Sequence, residues 1–158
     1  MRYNLIGGAK TILIIRQMIE SILLVGGIYI LSSKKLDKKA IYVGIIHGII
    51  VNVIRLLPIS FGVHSVLSLT GLIYMVSQIS NINIINIISN GIILFLILSI
   101  CDWIALGLYT NLFKLSIEQL LNGGVVSSLY SMGPLVTIAI MLFLIKFIRE
   151  RRKNGFNT

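Results

Sequence analysis

IINIISNGIILFLILSICDWIALGL, residues 84–108, is the stretch that decides the fold. Its only charged residue is Asp102. At 1.5 Å rise per residue, a helix of this length covers the roughly 30 Å hydrocarbon core of a bilayer. Such a helix has no polar face to offer water, so its surroundings are lipid or other protein. The same ruler finds four further segments. They run from about 11 to 31, ending at the basic turn SSKKLDKK, from about 40 to 57, from about 61 to 79, and from about 134 to 149, ending in KFIRERRK. Pro58 stops the second, because proline lacks a donor and disfavours helix at the residue before it. Pro134 suits the first turn of the last.

The chain therefore reads as all-α: a polytopic integral membrane bundle of about five transmembrane helices in one transmembrane domain, 1–158, with no internal repeat or linker. Between the fourth and fifth spans, Asn111 to Met132 is more polar. Ser116 and Gln119 make a capping box there, Leu120 and Leu121 give an apolar side, and Gly123-Gly124 ends the segment, which predicts a short helix at the membrane interface.

Composition agrees. Of 158 residues, 56% are hydrophobic and 12% charged, with a mean hydropathy of +0.97, whereas soluble domains are roughly 45–50% apolar and about 25% charged. The net charge of +9 is no nucleic-acid signature, because nine of the fourteen basic residues sit in two short clusters between apolar runs. These are Lys34, Lys35, Lys38 and Lys39, then Lys146, Arg149, Arg151, Arg152 and Lys153. Five spans put both clusters on one side, which by the positive-inside rule is the cytoplasm, with the C-terminus inside and the N-terminus outside. Arg16 and Glu20 interrupt the first apolar run and no small-residue cleavage site follows it, so a first span is expected rather than a removable signal peptide. Cys101 is the only cysteine, which excludes an internal disulfide, and with two histidines it cannot build a structural zinc site; neither metal nor cofactor is expected.

Ionisable residues inside spans are expensive and therefore mark candidate sites. Here they are Arg16, Glu20, His47, Arg55 and Asp102. Helix rise places Arg16, Arg55 and Asp102 in the outer half and Glu20 near the centre, which predicts a polar cluster joining the first, second and fourth helices. Arg16 is expected to pair with Glu20 four residues on, and Arg55 with Asp102. Such a cluster has two readings: a structural one, in which the pairs tie the bundle together or Arg55 snorkels to the headgroups, or a ligand-sensing or ion-linked site. His47 reads as a hydrogen-bonded packing residue before a proton relay. Ala40, Gly44, Gly48 and Asn52 recur every four residues on one face of the second helix, and a GxxxG pair there favours close approach of another backbone. Pro58, Phe61, Gly62 and His64 are expected to form a tight outer turn. No HExxH, GxSxG, phosphate-binding glycine loop or protease-like Cys-His spacing occurs, so no enzyme is expected.

The run Arg55-Leu-Leu-Pro-Ile-Ser-Phe-Gly-Val-His64 resembles the membrane-embedded N-terminal sensor region of GHKL-type histidine kinases of low-GC Gram-positive bacteria. In that family an Arg, a Pro and a Phe-Gly-x-His run mark the turn between two spans. Ile19-Glu20-Ser21 with Leu23-Leu24-Val25, and Leu115-Ser116-Ile117-Glu118-Gln119-Leu120-Leu121, look similar in the same order. Those kinases continue into a phosphoacceptor helix and an ATP-binding domain, and this sequence ends at Thr158, so kinase activity does not carry over. The resemblance implies a stand-alone sensor or regulatory module of the bacterial cell membrane, signalling through a separate membrane protein or kinase. A small transporter component or holin-like permeabilising protein is the competing reading. Paired intramembrane charges fit a packed bundle better than a lipid-exposed pore former.

Overall fold

Helix ends in this chain follow from a few polar residues set among long apolar runs. The computed structural model describes residues 2–58, 60–112 and 132–154, with side chains for 11–58, 60, 62–111 and 132–151. All regular structure among them is helical: α1 (Arg2–Leu31), α2 (Lys38–Ile54), α3 (Phe61–Ile79), α4 (Ile84–Leu112) and α5 (Gly133–Asn154). The expected interfacial helix around Ser116, Gln119 and Gly123-Gly124 lies outside the described residues.

The starts of α3 and α4 and the ends of α1 and α3 fall where hydropathy places them, but the other ends move. α1 begins well before Thr11, since no proline interrupts the preceding residues. α2 starts at Lys38 because the Asp37 carboxylate accepts from Ala40 N–H at 2.9 Å, an N-cap. It stops at Ile54, short of the expected 57. Ahead of Pro58, the Leu56 and Leu57 amides reach back only three residues, to Val53 and Ile54 carbonyls, and tighten the last turn. Asn83 caps α4 through its side chain, which accepts from Ile85 N–H at 3.0 Å.

α1 is the hub. It lies against α2, α4 and α5, while α3 packs between α2 and α4. Residues Leu24 to Tyr29 are buried without a break, so every side of α1 is covered over more than a turn. Around them Leu72 and Val76 of α3, Ile87 and Leu94 of α4, and Ile138 and Leu142 of α5 complete the core. Gly44 and Gly48 of α2 face α1 so closely that a Cβ on Gly44 would lie 2.8 Å from the Ile22 Cα and one on Gly48 3.1 Å from the Met18 Cα. The two helices run antiparallel, backbone against backbone.

Both basic clusters meet at one end of the bundle. α1 closes with Ser33 in the left-handed region, φ 57°, where Ser33 N–H reaches Ile30 O at 3.1 Å and Lys34 N–H reaches Tyr29 O at 2.9 Å. The Arg149 guanidinium of α5 donates to Ile30 O, to Leu31 O at 3.2 Å and to Ser33 Oγ at 3.1 Å. It satisfies the Leu31 carbonyl, which the helix C-terminus leaves unpaired, adds a second donor to Ile30 O, and places a cation at the negative end of the helix dipole. Asn90 of α4 donates to Ser32 Oγ at 2.9 Å, fixing a third helix to the same turn.

Among the described residues three helices are long and apolar enough to cross a membrane: Thr11–Leu31, Gly62–Ile79 and Ile84–Asn111. This is fewer than the five spans read from hydropathy. α2 is short at 17 residues, and α5 carries Lys146, Arg149 and Glu150 near its end.

Candidate functional site

Toward the end opposite the basic clusters, the core opens into a cavity of about 250 Å³. α1 contributes Gln17 and Glu20, three apart on one face, and α2 contributes Val51 and Arg55 from its last turn and C-cap. His64, Ser65 and Ser68 enter from α3, and Phe95 closes the wall from α4. Four helices thus bring a carboxylate, a guanidinium, an imidazole, an amide and two hydroxyls to one hollow.

The polar groups of α1 here are buried but incompletely satisfied. Gln17 is 3% exposed and Glu20 8%. Gln17 is within side-chain hydrogen-bonding reach of Glu20, yet Gln17 Oε1 and Glu20 Oε2 accept no hydrogen bond. His64 Nδ1, also buried, has no partner either. Buried polar atoms are almost always hydrogen-bonded, so three orphans around one hollow demand an explanation.

The expected ion pairs have exchanged partners. Arg16 does not pair with Glu20, nor Arg55 with Asp102; Arg16 Nη2 donates instead to Asp102 Oδ1 at 3.3 Å, linking α1 to α4. In a helix, the order Arg then Glu at four residues' spacing is the weaker one, and α4 lies alongside α1 within the reach of an arginine. Arg55, exposed at the rim, makes no ion pair within 4.0 Å among the described residues. It, Arg16 and Asp102 nevertheless act electrostatically on Glu20, so the four ionisable groups form one electrostatic neighbourhood.

No family model, curated protein or solved structure matches this chain.

Below the cavity, His47 is 1% exposed and joins three helices. Its Nε2 lies 3.0 Å from the Ser68 carbonyl oxygen, which can only accept, so Nε2 carries the proton. Its Nδ1 lies 3.1 Å from the Ser21 hydroxyl oxygen. The imidazole thereby pins the Ser68 stretch of α3 under the hollow. Asn52 spends its amide within α2, donating to Gly48 O at 2.8 Å, and stays out of the polar cluster. Residues 55–58 and 60 lie between α2 and α3, and Ser60 O accepts from Val63 and His64 amides; Phe61, Gly62 and His64 already belong to α3 rather than to the turn, and a Cβ added at Gly62 would meet nothing within 4 Å. Among the described residues no three His, Cys, Asp or Glu side chains converge in a metal-binding group.

Gln17, Ser65, Ser68 and Phe95 line the cavity but carry no charge, so intramembrane charge does not mark them in the sequence. The available signal is spacing: Gln17 shares a face with Glu20, and His64 and Ser68 share one on α3.

Proposed function

We propose that this chain is a five-span sensor or regulatory module of a bacterial cell membrane. In this reading the cavity bounded by Gln17, Glu20, Arg55 and His64 takes a small ligand, and a separate membrane protein or kinase receives the signal, with no catalysis by the chain itself. One observation carries the reading: two buried acceptors, Gln17 Oε1 and Glu20 Oε2, are left unsatisfied at the wall of a cavity large enough for a ligand.

The membrane part of the proposal is supported by the outward faces of all five helices. α2 exposes Ile46, Ile49, Ile50 and Val53, and α5 exposes Val136, Ile140, Phe143 and Leu144, as apolar as the outward faces of the three longer spans. A monomeric soluble protein does not leave such continuous apolar surface in water. At 17 residues α2 covers about 26 Å, which slight thinning of the bilayer accommodates. Tyr42 and Tyr74 stand exposed toward the basic end and Trp103 toward the other, as interfacial aromatic belts require. The basic end then faces the cytoplasm and the cavity lies in the outer half. The apolar layer of Leu24, Val25, Ile28, Leu72 and Leu94 beneath it favours a closed binding site over a permeabilising pore.

The test is accessibility. In a Cys101→Ala background, Ser65→Cys should react with a membrane-impermeant thiol reagent applied outside intact cells. Reaction only after the cytoplasmic side is opened contradicts the proposal.

A further inference from the structure

We propose that the cavity recognises a small zwitterion, a primary ammonium joined to a carboxylate or phosphate, with Glu20 and Gln17 holding the ammonium and Arg55 the anion; this rests on the sensing site described above. On its α1 wall the cavity offers two buried acceptors that lack donors, Glu20 Oε2 and Gln17 Oε1. An ammonium with its N–H donors completes them, and a quaternary amine has none to give. At the rim, Arg55 has no carboxylate within 4.0 Å among the described residues. Arg16 is already engaged with Asp102, so the remaining opposite charges, Glu20 and Arg55, line the same hollow without touching. A guanidinium fork suits a carboxylate or phosphate, and a ligand carrying both charges replaces the direct ion pair that the protein does not form.

Size narrows the class. The cavity, about 250 Å³, is smaller than the roughly 300–1,000 Å³ pockets that take drug-sized ligands. Val51 and Phe95 supply the apolar wall for a short carbon skeleton. A free α-amino acid meets this description, and so does the headgroup of an ethanolamine phospholipid entering from the outer leaflet.

The experiment uses the full chain with Cys101→Ala and Ser65→Cys, purified into phosphatidylcholine nanodiscs, and measures the rate of labelling by a water-soluble thiol reagent. L-Alanine and L-leucine form one arm, phosphatidylethanolamine mixed into the disc the other; ethylamine and propionate, each carrying one charge, are controls. A zwitterion at about ten times its Kd should slow labelling about tenfold. Protection by the amino acids identifies a free ligand, and protection by phosphatidylethanolamine alone identifies a headgroup. Glu20→Gln and Arg55→Gln should each abolish protection while the thiol still reacts at the unprotected rate, which shows the cavity intact; Arg55→Lys should retain part of it. Protection by ethylamine equal to that by L-alanine, protection surviving Arg55→Gln, or a thiol that reacts freely in every mixture overturns the zwitterion assignment. A thiol that never reacts overturns the sensing cavity itself.

Discussion

Two arginines and two acids share one end of the bundle, and of these only Arg16 and Asp102 touch. Asp102→Ala leaves the Arg16 guanidinium, 14% exposed and with its Nε already unpartnered, without a counter-charge. The expected loss is roughly 1–3 kcal/mol in detergent unfolding, below the roughly 3–5 kcal/mol of a fully buried pair because the Asp102 side chain is 44% exposed. Adding Arg16→Ala should recover part of it; equal losses for single and double variants would remove the pair from the account. Glu20 predicts the opposite sign. Its unsatisfied buried oxygen is a cost, so Glu20→Leu should raise stability by about 1–3 kcal/mol, and a drop of that size would mean the carboxylate holds the bundle together. That Arg16, Glu20, Arg55 and Asp102 cluster is legible from the expense of intramembrane charge. Which of them pair is not, because pairing depends on the rotation of each helix about its axis. Gln17, Ser65 and Ser68 were hidden for another reason: neutral polar side chains cost too little in a span to stand out.

Among elements, the α1–α2 contact depends on the absence of two side chains. Gly44→Leu would drive a Cβ to 2.8 Å from the Ile22 Cα, backbone that no rotamer change can move aside. Overpacking of this kind costs typically 1–3 kcal/mol, so the unfolding midpoint should fall clearly; an unchanged midpoint would show that α1 and α2 separate at little cost. The lock at the basic end makes a second prediction. Arg149→Ala removes the donors to Ile30 O, Leu31 O and Ser33 Oγ, and should speed hydrogen exchange of the Ser33 and Lys34 amides, with Arg149→Lys intermediate. Unaltered exchange would make that contact incidental. The glycine spacing on α2 was visible as a pattern, and its partner, the Met18–Ile22 turn of α1, was not, because a small-residue stripe says nothing of which helix covers it.

For the whole molecule, the apolar runs yield the five long helices of the described residues and their approximate ends, because length and hydropathy are local properties. The arrangement of α2, α4 and α5 around α1 is not local and had to come from packing. Among the described residues three helices are long and apolar enough to cross a bilayer; in the proposed function α2 and α5 cross as well, so that the cavity faces outward and both basic clusters face inward. Reporter fusions after Lys39, Ser60, Asn111 and Thr158 test this directly. Five crossings predict that Lys39 and Thr158 report the cytoplasm while Ser60 and Asn111 report the outside. If all four report the cytoplasm, only the three longer helices cross the membrane and the five-span account is contradicted.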